Sequence, residues 1–286
     1  MFSKILKVYL ILFISLFIGY SYINTLFAKE FEMTLVDKSV VNYLIPSVVA
    51  TLLTFFLYRS IIKQLTINQR ELNLLIWIVI PQSVAIPIGV SQGYFREMNS
   101  RVIEITTPEE IMLYPNENFF TIQKYYIDPS EFSAFQEQKS GRGSNLSVCN
   151  YYIVPLYTDS ISPKFNITCG LYYSTTINNG LFFSDEVDQN IKAFNNNSAK
   201  NILDYNFSDI KFFERQIDKD QISNFQSAWM FNTLREQIKN PIVLVPQQEE
   251  FTVYLRGKKN IAVITTIIGL IVAILFLCYL RVKYDL

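Results

Sequence analysis

The residues closest to a catalytic pattern are Gly89-Val90-Ser91-Gln92-Gly93, which match the G-x-S-x-G turn that carries the nucleophile of α/β-hydrolases. Such a serine needs a strand before it, a helix after it and a histidine that takes its proton. The chain contains no histidine, and the residues before Ser91 are an apolar segment interrupted by prolines. We therefore predict no catalytic residue here and a protein that is not an enzyme.

The absence of histidine also narrows the metal chemistry, because histidine is the commonest transition-metal ligand. The three cysteines are too few for a Cys₄ zinc site. Asp185, Glu186 and Asp188 form one acidic cluster, and Asp218 and Asp220 form another. Neither has the spacing of a calcium loop, and both fit the acidic first turn of a helix. We predict no metal site and no cofactor.

Cys149 and Cys169 lie in two segments that we predict to be neighbouring strands. A disulfide between them would close a loop of about 20 residues and stabilise the fold by about 3 kcal/mol in the chain-entropy model. The alternative is two unpaired cysteines in buried strands. The third cysteine, Cys278, lies in the last apolar segment.

The apolar residues of the chain are concentrated in four segments. A bilayer core about 30 Å thick requires about 20 helical residues, and each segment has that length with no charged residue after its first turn or so. The pattern predicts four transmembrane helices: Ile5–Phe27, Val40–Tyr58, Leu72–Gly93 and Ile261–Leu280.

The predicted fold class is a four-helix multi-pass membrane protein with one α+β extramembrane domain inserted between the third and fourth transmembrane helices. The predicted domains are a three-helix transmembrane region at 1–93, the α+β domain at 94–258, and the fourth helix with a short tail at 259–286. The predicted strands are Val102–Ile105, Phe119–Ile127, Ser147–Thr158, Phe165–Thr176, Ile242–Val245 and Phe251–Arg256. Gln136–Asn145 is predicted to be a loop, and helices are predicted after Thr107, from Ser184 and at Asp220–Lys239.

Short loops rich in Lys and Arg stay in the cytoplasm. We expect both termini to be cytoplasmic and residues 94–258 to be extracytoplasmic. The residues that favour this are Lys4, Lys7, Arg59, Lys63, Arg70, Arg281 and Lys283, and those that oppose it are Arg256, Lys258 and Lys259.

The polar stretch from 94 to 258 carries 15 Lys and Arg against 20 Asp and Glu, a net charge of −5. Nucleic-acid binding requires clustered basic residues. We therefore expect the lipid bilayer and other proteins as partners, and no nucleic acid.

The third apolar segment contains Pro81 and Pro87, which predict a kinked or locally unwound helix. Gln82 and Ser83 lie between them and form the candidate intramembrane polar site. Broken helices line solute sites in transporters, but they are also common packing features.

The last apolar segment carries small residues on one face, the candidate helix-packing face: Ala262, Thr266, Gly269 and Ala273. Such faces allow helix backbones to approach closely in lipid. The sequence leaves open whether the partner helix belongs to this chain or to another protein.

Tyrosines are concentrated in the predicted strands, at positions 125, 126, 151, 152, 157, 172 and 173. Adjacent tyrosines place one ring on each face of a sheet. One face is then core, and the other is either a binding surface or part of an ordinary amphipathic sheet.

These observations lead to a non-enzymatic integral membrane protein whose extracytoplasmic domain binds a partner protein or ligand, as a subunit of a larger membrane complex. The alternative is a transporter or channel component that uses the proline-broken third helix. An enzyme that uses Ser91 or an acidic cluster is a third hypothesis, testable with a serine-reactive probe.

Overall fold

The computed structural model describes residues 2–31, 40–62, 74–140, 145–159, 167–178, 184–230 and 241–284. The chain divides into two units, which we call the helical unit (Met1–Asn99 with Thr252–Leu286) and the sheet unit (Ser100–Phe251). The boundaries thus fall at 99/100 and 251/252, whereas the sequence suggested 93/94 and 258/259.

The described residues form six α-helices and seven strands. The helices are α1 (Phe2–Phe31), α2 (Ile45–Ile62), α3 (Ile80–Glu97), α4 (Ser184–Leu203), α5 (Lys219–Met230) and α6 (Phe251–Tyr284). The strands are β1 (Val102–Ile105), β2 (Phe119–Ile122), β3 (Ser133–Ser140), β4 (Asn145–Pro155), β5 (Ile167–Asn178), β6 (Phe212–Arg215) and β7 (Ile242–Gln247).

The predicted four-helix multi-pass fold is wrong, because only two helices among the described residues are long and apolar enough to cross a bilayer. They cover Ser3–Asn24 of α1 and Phe251–Lys283 of α6. The apolar part of the second helix, Val41–Leu57, is shorter; its 17 residues reach only about 26 Å at 1.5 Å per residue, less than the bilayer core. The α-helical part of the third segment begins only at Ile80 and carries several polar residues.

Both α2 and α3 are preceded by a five-residue π-helical segment, Val40–Leu44 and Leu75–Val79. A proline, Pro46 or Pro81, is the second residue of the α-helix that follows. Proline has no N–H for a bond within the preceding turn, so each α-helix begins afresh at this position.

The core of the helical unit draws on α1, α2, α3 and α6, and its buried residues are Ile5, Tyr9, Leu12, Phe13, Ala50, Ile80, Val84, Ile88, Ala273, Leu277 and Leu280. The opposite face of α6 is apolar and exposed along most of its length. An apolar stripe that is exposed in the isolated chain is typical of a helix that contacts lipid or another protein.

The strands of the sheet unit form one mixed sheet in the order β1-β2-β6-β7-β5-β4-β3. The β1–β2 and β5–β7 pairs are parallel, and the other neighbours are antiparallel. The long β4–β5 ladder joins eleven residue pairs, so it extends beyond the short parallel contact with β7.

Helices cover both faces of this sheet. On one face α5 places Phe225 and Trp229 against Tyr151 and Ile153. On the other face α4 places Val187 against Val148. Bulky residues from the central strands and from two helices thus exclude water from both sides, which supplies the main stabilisation of this unit.

Gly170 of β5 is required by the packing of α5. A Cβ at this position would lie 2.6 Å from Val243 Cγ1 and 2.9 Å from the ring of Phe225. Because glycine has no side chain, the ring of Phe225 can occupy the space beside this backbone position.

Several element predictions are confirmed, and others are wrong. The strand at Val102–Ile105 has the predicted bounds. The loop predicted at Gln136–Asn145 is wrong where the structure describes it, because residues 136–140 belong to β3 and Asn145 begins β4; residues 141–144 lie outside the described residues. The polar residues of β3 fit an edge strand. Phe251–Arg256 is not a strand but the first turns of α6, since no proline separates it from the apolar run that follows. The predicted helix at Asp220–Lys239 is described only as far as Met230.

Candidate functional site

The predicted polar pair of the third segment lies in the first turn of α3. Ser83 is buried, and its Oγ lies 3.2 Å from Tyr9 Oη of α1. The same hydroxyl donates to the carbonyl of Ile80 at 2.9 Å. Gln82 is half-buried. The structure therefore pairs Ser83 with a residue of α1.

A second polar contact joins the same two helices and was not predicted. Asn24 Nδ2 of α1 donates to Gln92 Oε1 of α3 at 2.7 Å. Gln92 is fully buried, and its Nε2 donates to Ser21 Oγ at 3.2 Å and to the carbonyl of Ile88 at 3.1 Å. Every donor and the carbonyl oxygen of this amide is thereby used. Ser21 and Asn24, three residues apart on α1, are the sequence signal that could have indicated this contact.

Ser91, the serine of the G-x-S-x-G match, is also buried in α3. Its Oγ has no hydrogen-bond partner among the described residues. The structure places this serine in a helix rather than on the strand-to-helix turn that an α/β-hydrolase nucleophile requires. That Ser91 is not catalytic stays a prediction.

Pro87 of α3 contacts the small-residue face of α6 at Gly269. Pro87 has no N–H, so the carbonyl of Ser83 has no α-helical donor four residues later. A Cβ at Gly269 of α6 would lie 2.6 Å from this oxygen and 2.8 Å from Pro87 Cγ. Glycine therefore lets the α6 backbone approach the freed carbonyl, an approach that is favourable by about 0.5–1 kcal/mol when a Cα–H faces the oxygen.

The rest of that face lies along the same side of α6. Ala262 and Ala273 are buried. Thr266 Oγ1 donates to the carbonyl of Ala262 at 2.8 Å, so its hydroxyl is used within the helix. At Gly269 this face packs against α3 of the same chain. The contact answers whether the partner helix belongs to this chain, which the sequence left open.

The same arrangement occurs between α2 and α3. Pro46 leaves the carbonyl of Asn42 without an α-helical donor, and that of Val41 without a π-helical one. A Cβ at Gly89 of α3 would lie 2.7 Å from Asn42 O and 2.5 Å from the ring of Tyr43. The hydroxyl of Tyr20 donates to Val41 O. A glycine and a tyrosine of the neighbouring helices thus cover the two freed carbonyls.

A short sequence similarity links the starts of α2 and α3. Ile45–Ala50 and Ile80–Ala85 both read I-P-x-x-V-A, and each follows a π-helical segment. We did not expect an internal repeat, and the match is too short to stand out in the sequence. The structure makes it visible because both copies place their proline at the same point of a helix.

One ion pair joins α3 and α6. Lys258 Nζ lies 2.7 Å from Glu97 Oε1 and 2.5 Å from Oε2. The ammonium also lies over the ring of Tyr254, 4.3 Å from its centroid. Lys258 was one of the three positive residues that opposed the expected orientation, and here its charge is neutralised within the helical unit.

Of the two alternatives that the sequence left open, the disulfide between Cys149 and Cys169 is not formed, and both cysteines are free. Their strands are neighbours, as expected, but Cys149 pairs with Ser174 whereas Cys169 pairs with Val154. Five register positions separate them by roughly 17 Å along the strands, and an odd offset places them on opposite faces. A disulfide requires Cα atoms about 4.4–6.8 Å apart. The alternative of two unpaired cysteines holds.

The tyrosines of the strands mainly build the core. Tyr151 and Tyr152 are buried on opposite faces of β4. Tyr172 and Tyr126 are largely exposed. Because helices cover both faces of the sheet near its centre, the tyrosine-lined binding face that the sequence allowed is reduced to single exposed rings.

Among the described residues, no group of three or more Cys, Asp or Glu is arranged to hold a metal ion. No protein-family model, no curated protein and no solved structure matches the chain.

Proposed function

We propose that this protein is a membrane-anchored, non-enzymatic protein whose sheet unit binds a partner on the extracytoplasmic side. The observation that carries the proposal is the distribution of apolar helices: among the described residues, α1 and α6 are the two helices with the length and composition of a membrane span, and they lie on either side of the sheet unit in the sequence. The sheet unit lies between them in the sequence and has a core of its own.

The charges at the ends of the two helices support the orientation. Lys4 and Lys7 lie in the first turns of α1, and Arg281 and Lys283 lie in the last turn of α6. If both helices cross the membrane, both termini are on the same side, and the positive residues favour the cytoplasm. The Lys258–Glu97 ion pair removes one of the charges that oppose this arrangement.

The contacts around the prolines support a packing role for the broken helix. The carbonyl that Pro87 frees in α3 faces Gly269, and the buried polar side chains Ser83 and Gln92 are bonded to α1. A transport site requires polar groups that are available to a solute. We therefore put partner binding ahead of transport.

The topology can be tested by labelling with a membrane-impermeant maleimide. In a background with all three native cysteines replaced by serine, Ser174→Cys places a thiol on an exposed position of β5, and Ser3→Cys places one at the exposed start of α1. We expect intact cells to label Ser174→Cys only and lysed cells to label both. Labelling of Ser3→Cys alone in intact cells would invert the orientation.

Anchoring and partner binding need two further measurements on the full chain. Extraction with alkaline carbonate should leave the protein in the membrane fraction, and release into the supernatant would contradict anchoring. Purification in mild detergent, with mass spectrometry, should recover partner proteins at a constant ratio. A monodisperse protein without partners would contradict partner binding.

A further inference from the structure

One turn of the sheet unit exposes three consecutive apolar side chains, which we call the apolar turn: Met112, Leu113 and Tyr114. They are 53%, 73% and 36% exposed. They end the 3₁₀ helix Pro108–Leu113 and lead into the turn before β2. Single exposed apolar residues are normal on a protein surface, whereas a run of large ones indicates an interaction site.

One arginine stabilises the backbone of the apolar turn. Arg215 of β6 donates from Nη2 to the carbonyl of Ile111 at 3.0 Å and from Nη1 to that of Pro115 at 2.6 Å. These carbonyls belong to the residues directly before and after the exposed run. The guanidinium also lies 5.1 Å from the ring centroid of Phe120. Burial lowers the pKa of Arg215, as expected for a cation that bonds to carbonyls rather than to a carboxylate.

The start of the same 3₁₀ helix is fixed by a capping box. Glu110 accepts hydrogen bonds from the backbone N–H of Thr107 at 3.2 Å and of Thr106 at 3.3 Å. Ile111, between the capping box and the apolar turn, is completely buried. The backbone is thus fixed on both sides, so a partner that binds here does not have to order it, and the entropic cost of binding is low.

We propose that the apolar turn is the anchor of an interface with a partner protein that offers an apolar pocket with a basic rim. Three exposed side chains are too few for a complete interface, but they are typical of the central residues that fill a pocket. Glu109, Glu110 and Glu117 flank the turn in the sequence and outnumber the single positive charge of Arg215 that bonds to it, so the local charge is negative. Charge complementarity then requires Lys or Arg on the partner.

The same charges argue against a lipid surface as the occupant. Segments that lie on membranes carry Lys and Arg beside their apolar residues, because these attract anionic headgroups. Here the flanking residues are glutamates. The inference rests on the proposed function, since it names the surface and the class of partner for the sheet unit.

Photo-cross-linking in native membranes tests the proposal on the full chain. A photoreactive phenylalanine analogue replaces Leu113, and in the control it replaces Leu203, an exposed leucine at the end of α4. We expect position 113 to give an adduct with one protein of constant mass, and position 203 to give none. The adduct should decrease in high salt and when Glu117→Lys reverses one flanking charge.

The other outcomes overturn the inference in different ways. A lipid adduct at 113 would place the turn against the bilayer, and an adduct of twice the chain mass would make the partner a second copy. Equal labelling at 113 and 203, or no change with salt and Glu117→Lys, would mean that the turn is no specific site. If partners still copurify in those cases, the proposed function stands; release by carbonate contradicts the proposed function itself.

A substitution within the apolar turn gives a second test that does not depend on the photoreactive residue. Leu113→Ser removes the most exposed side chain of the turn, so the melting temperature should stay unchanged. In mild-detergent purification, the amount of the cross-linking-identified partner that copurifies should fall about tenfold or more, as for substitutions at the central residues of other interfaces. Unchanged retention would overturn the proposal.

Discussion

The two units of the protein bury their polar and apolar groups in different ways. In the sheet unit large rings fill the space between the sheet and its helices, as where the ring of Phe225 packs edge-on against Tyr151 at 5.3 Å. In the helical unit two glycines, Gly89 and Gly269, lie against backbone carbonyls of neighbouring helices. A soluble domain gains stability from removing apolar area from water. Helices in lipid lack that gain and depend on close backbone approach and on polar contacts between helices.

The exposed surfaces of the two units also differ in polarity. Along the middle of α6 most exposed positions are apolar, as at Ile264, Ile268 and Leu275. Along the outer part of β5 they are polar, at Ser174, Thr176 and Asn178. This difference agrees with the proposal that α6 lies in a membrane and the sheet unit in water.

The largest effect is expected from a cavity in the sheet unit. Phe225 is completely buried, and Phe225→Ala should lower the free energy of unfolding by about 3–5 kcal/mol, since a large side chain is lost from a close-packed core. Tyr172→Ala on β5 is the control: its ring is half-exposed and stacks on Tyr151 with centroids 6.1 Å apart, so its loss should cost only about 0.5–1.5 kcal/mol. Unfolding in denaturant followed by circular dichroism measures both, and equal losses would contradict the packing described here.

In the helical unit, replacing a glycine by a larger residue, rather than shortening a side chain, should destabilise the fold. Gly269→Val and Gly89→Val each drive a side chain into a backbone carbonyl, at an expected cost of about 1–3 kcal/mol. Gly93→Val and Gly257→Val are matched controls on α3 and α6, because the added Cβ meets nothing within 4 Å there. Thermal stability in detergent distinguishes the two pairs. If the controls lose as much as Gly269→Val and Gly89→Val, close approach is not what Gly269 and Gly89 provide.

The polar contact between α1 and α3 should contribute less. Gln92→Leu removes the hydrogen bonds that Gln92 makes with Asn24 and Ser21, at an expected cost of about 0.6–2 kcal/mol. The double variant with Asn24→Leu should cost less than the sum of the single variants, because a buried amide is no longer left unpaired. A double-mutant cycle on thermal stability gives the coupling, and strictly additive losses would show that the two amides do not act together.

The smallest effect is expected from the cysteines. Denatured, unreduced protein should show three reactive thiols, and a reducing agent should not change the melting temperature. In the folded protein Cys169 should react very slowly, because its complete burial raises the pKa of the thiol and blocks access. Fewer than three thiols in the denatured state would restore the disulfide and contradict the register of β4 and β5.

Elements with a strong local signal were predictable from the sequence. β1 has the predicted bounds, and the capping box at Thr107 and Glu110 is present, although the helix that it starts is a 3₁₀ helix. β3 was missed because an edge strand with solvent on one side carries the polar composition of a loop. The first turns of α6 were missed because Phe251–Arg256 is also rich in residues that favour strands.

The contacts at the candidate sites could not be predicted from local sequence patterns. The sequence singled out Pro87 and Gly269 separately, as a helix breaker and as part of a small-residue face, and only their contact in space explains both. It also placed Cys149 and Cys169 on neighbouring strands, but the register decides whether two side chains meet. The contact between Asn24 and Gln92 joins residues 68 positions apart, which no local pattern connects.

The sequence by itself determined the concentration of apolar residues at the two ends of the chain, the polar α+β segment between them, and the exclusion of histidine chemistry. These follow from composition and from periodicities of a few residues, which act locally. The tertiary structure decided which helices have the length of a span, which helix α6 packs against, that the cysteines are apart, and that Arg215 holds an apolar turn at the surface. Each of these depends on contacts between residues distant in sequence, whose register and close approach are fixed only when the chain is packed.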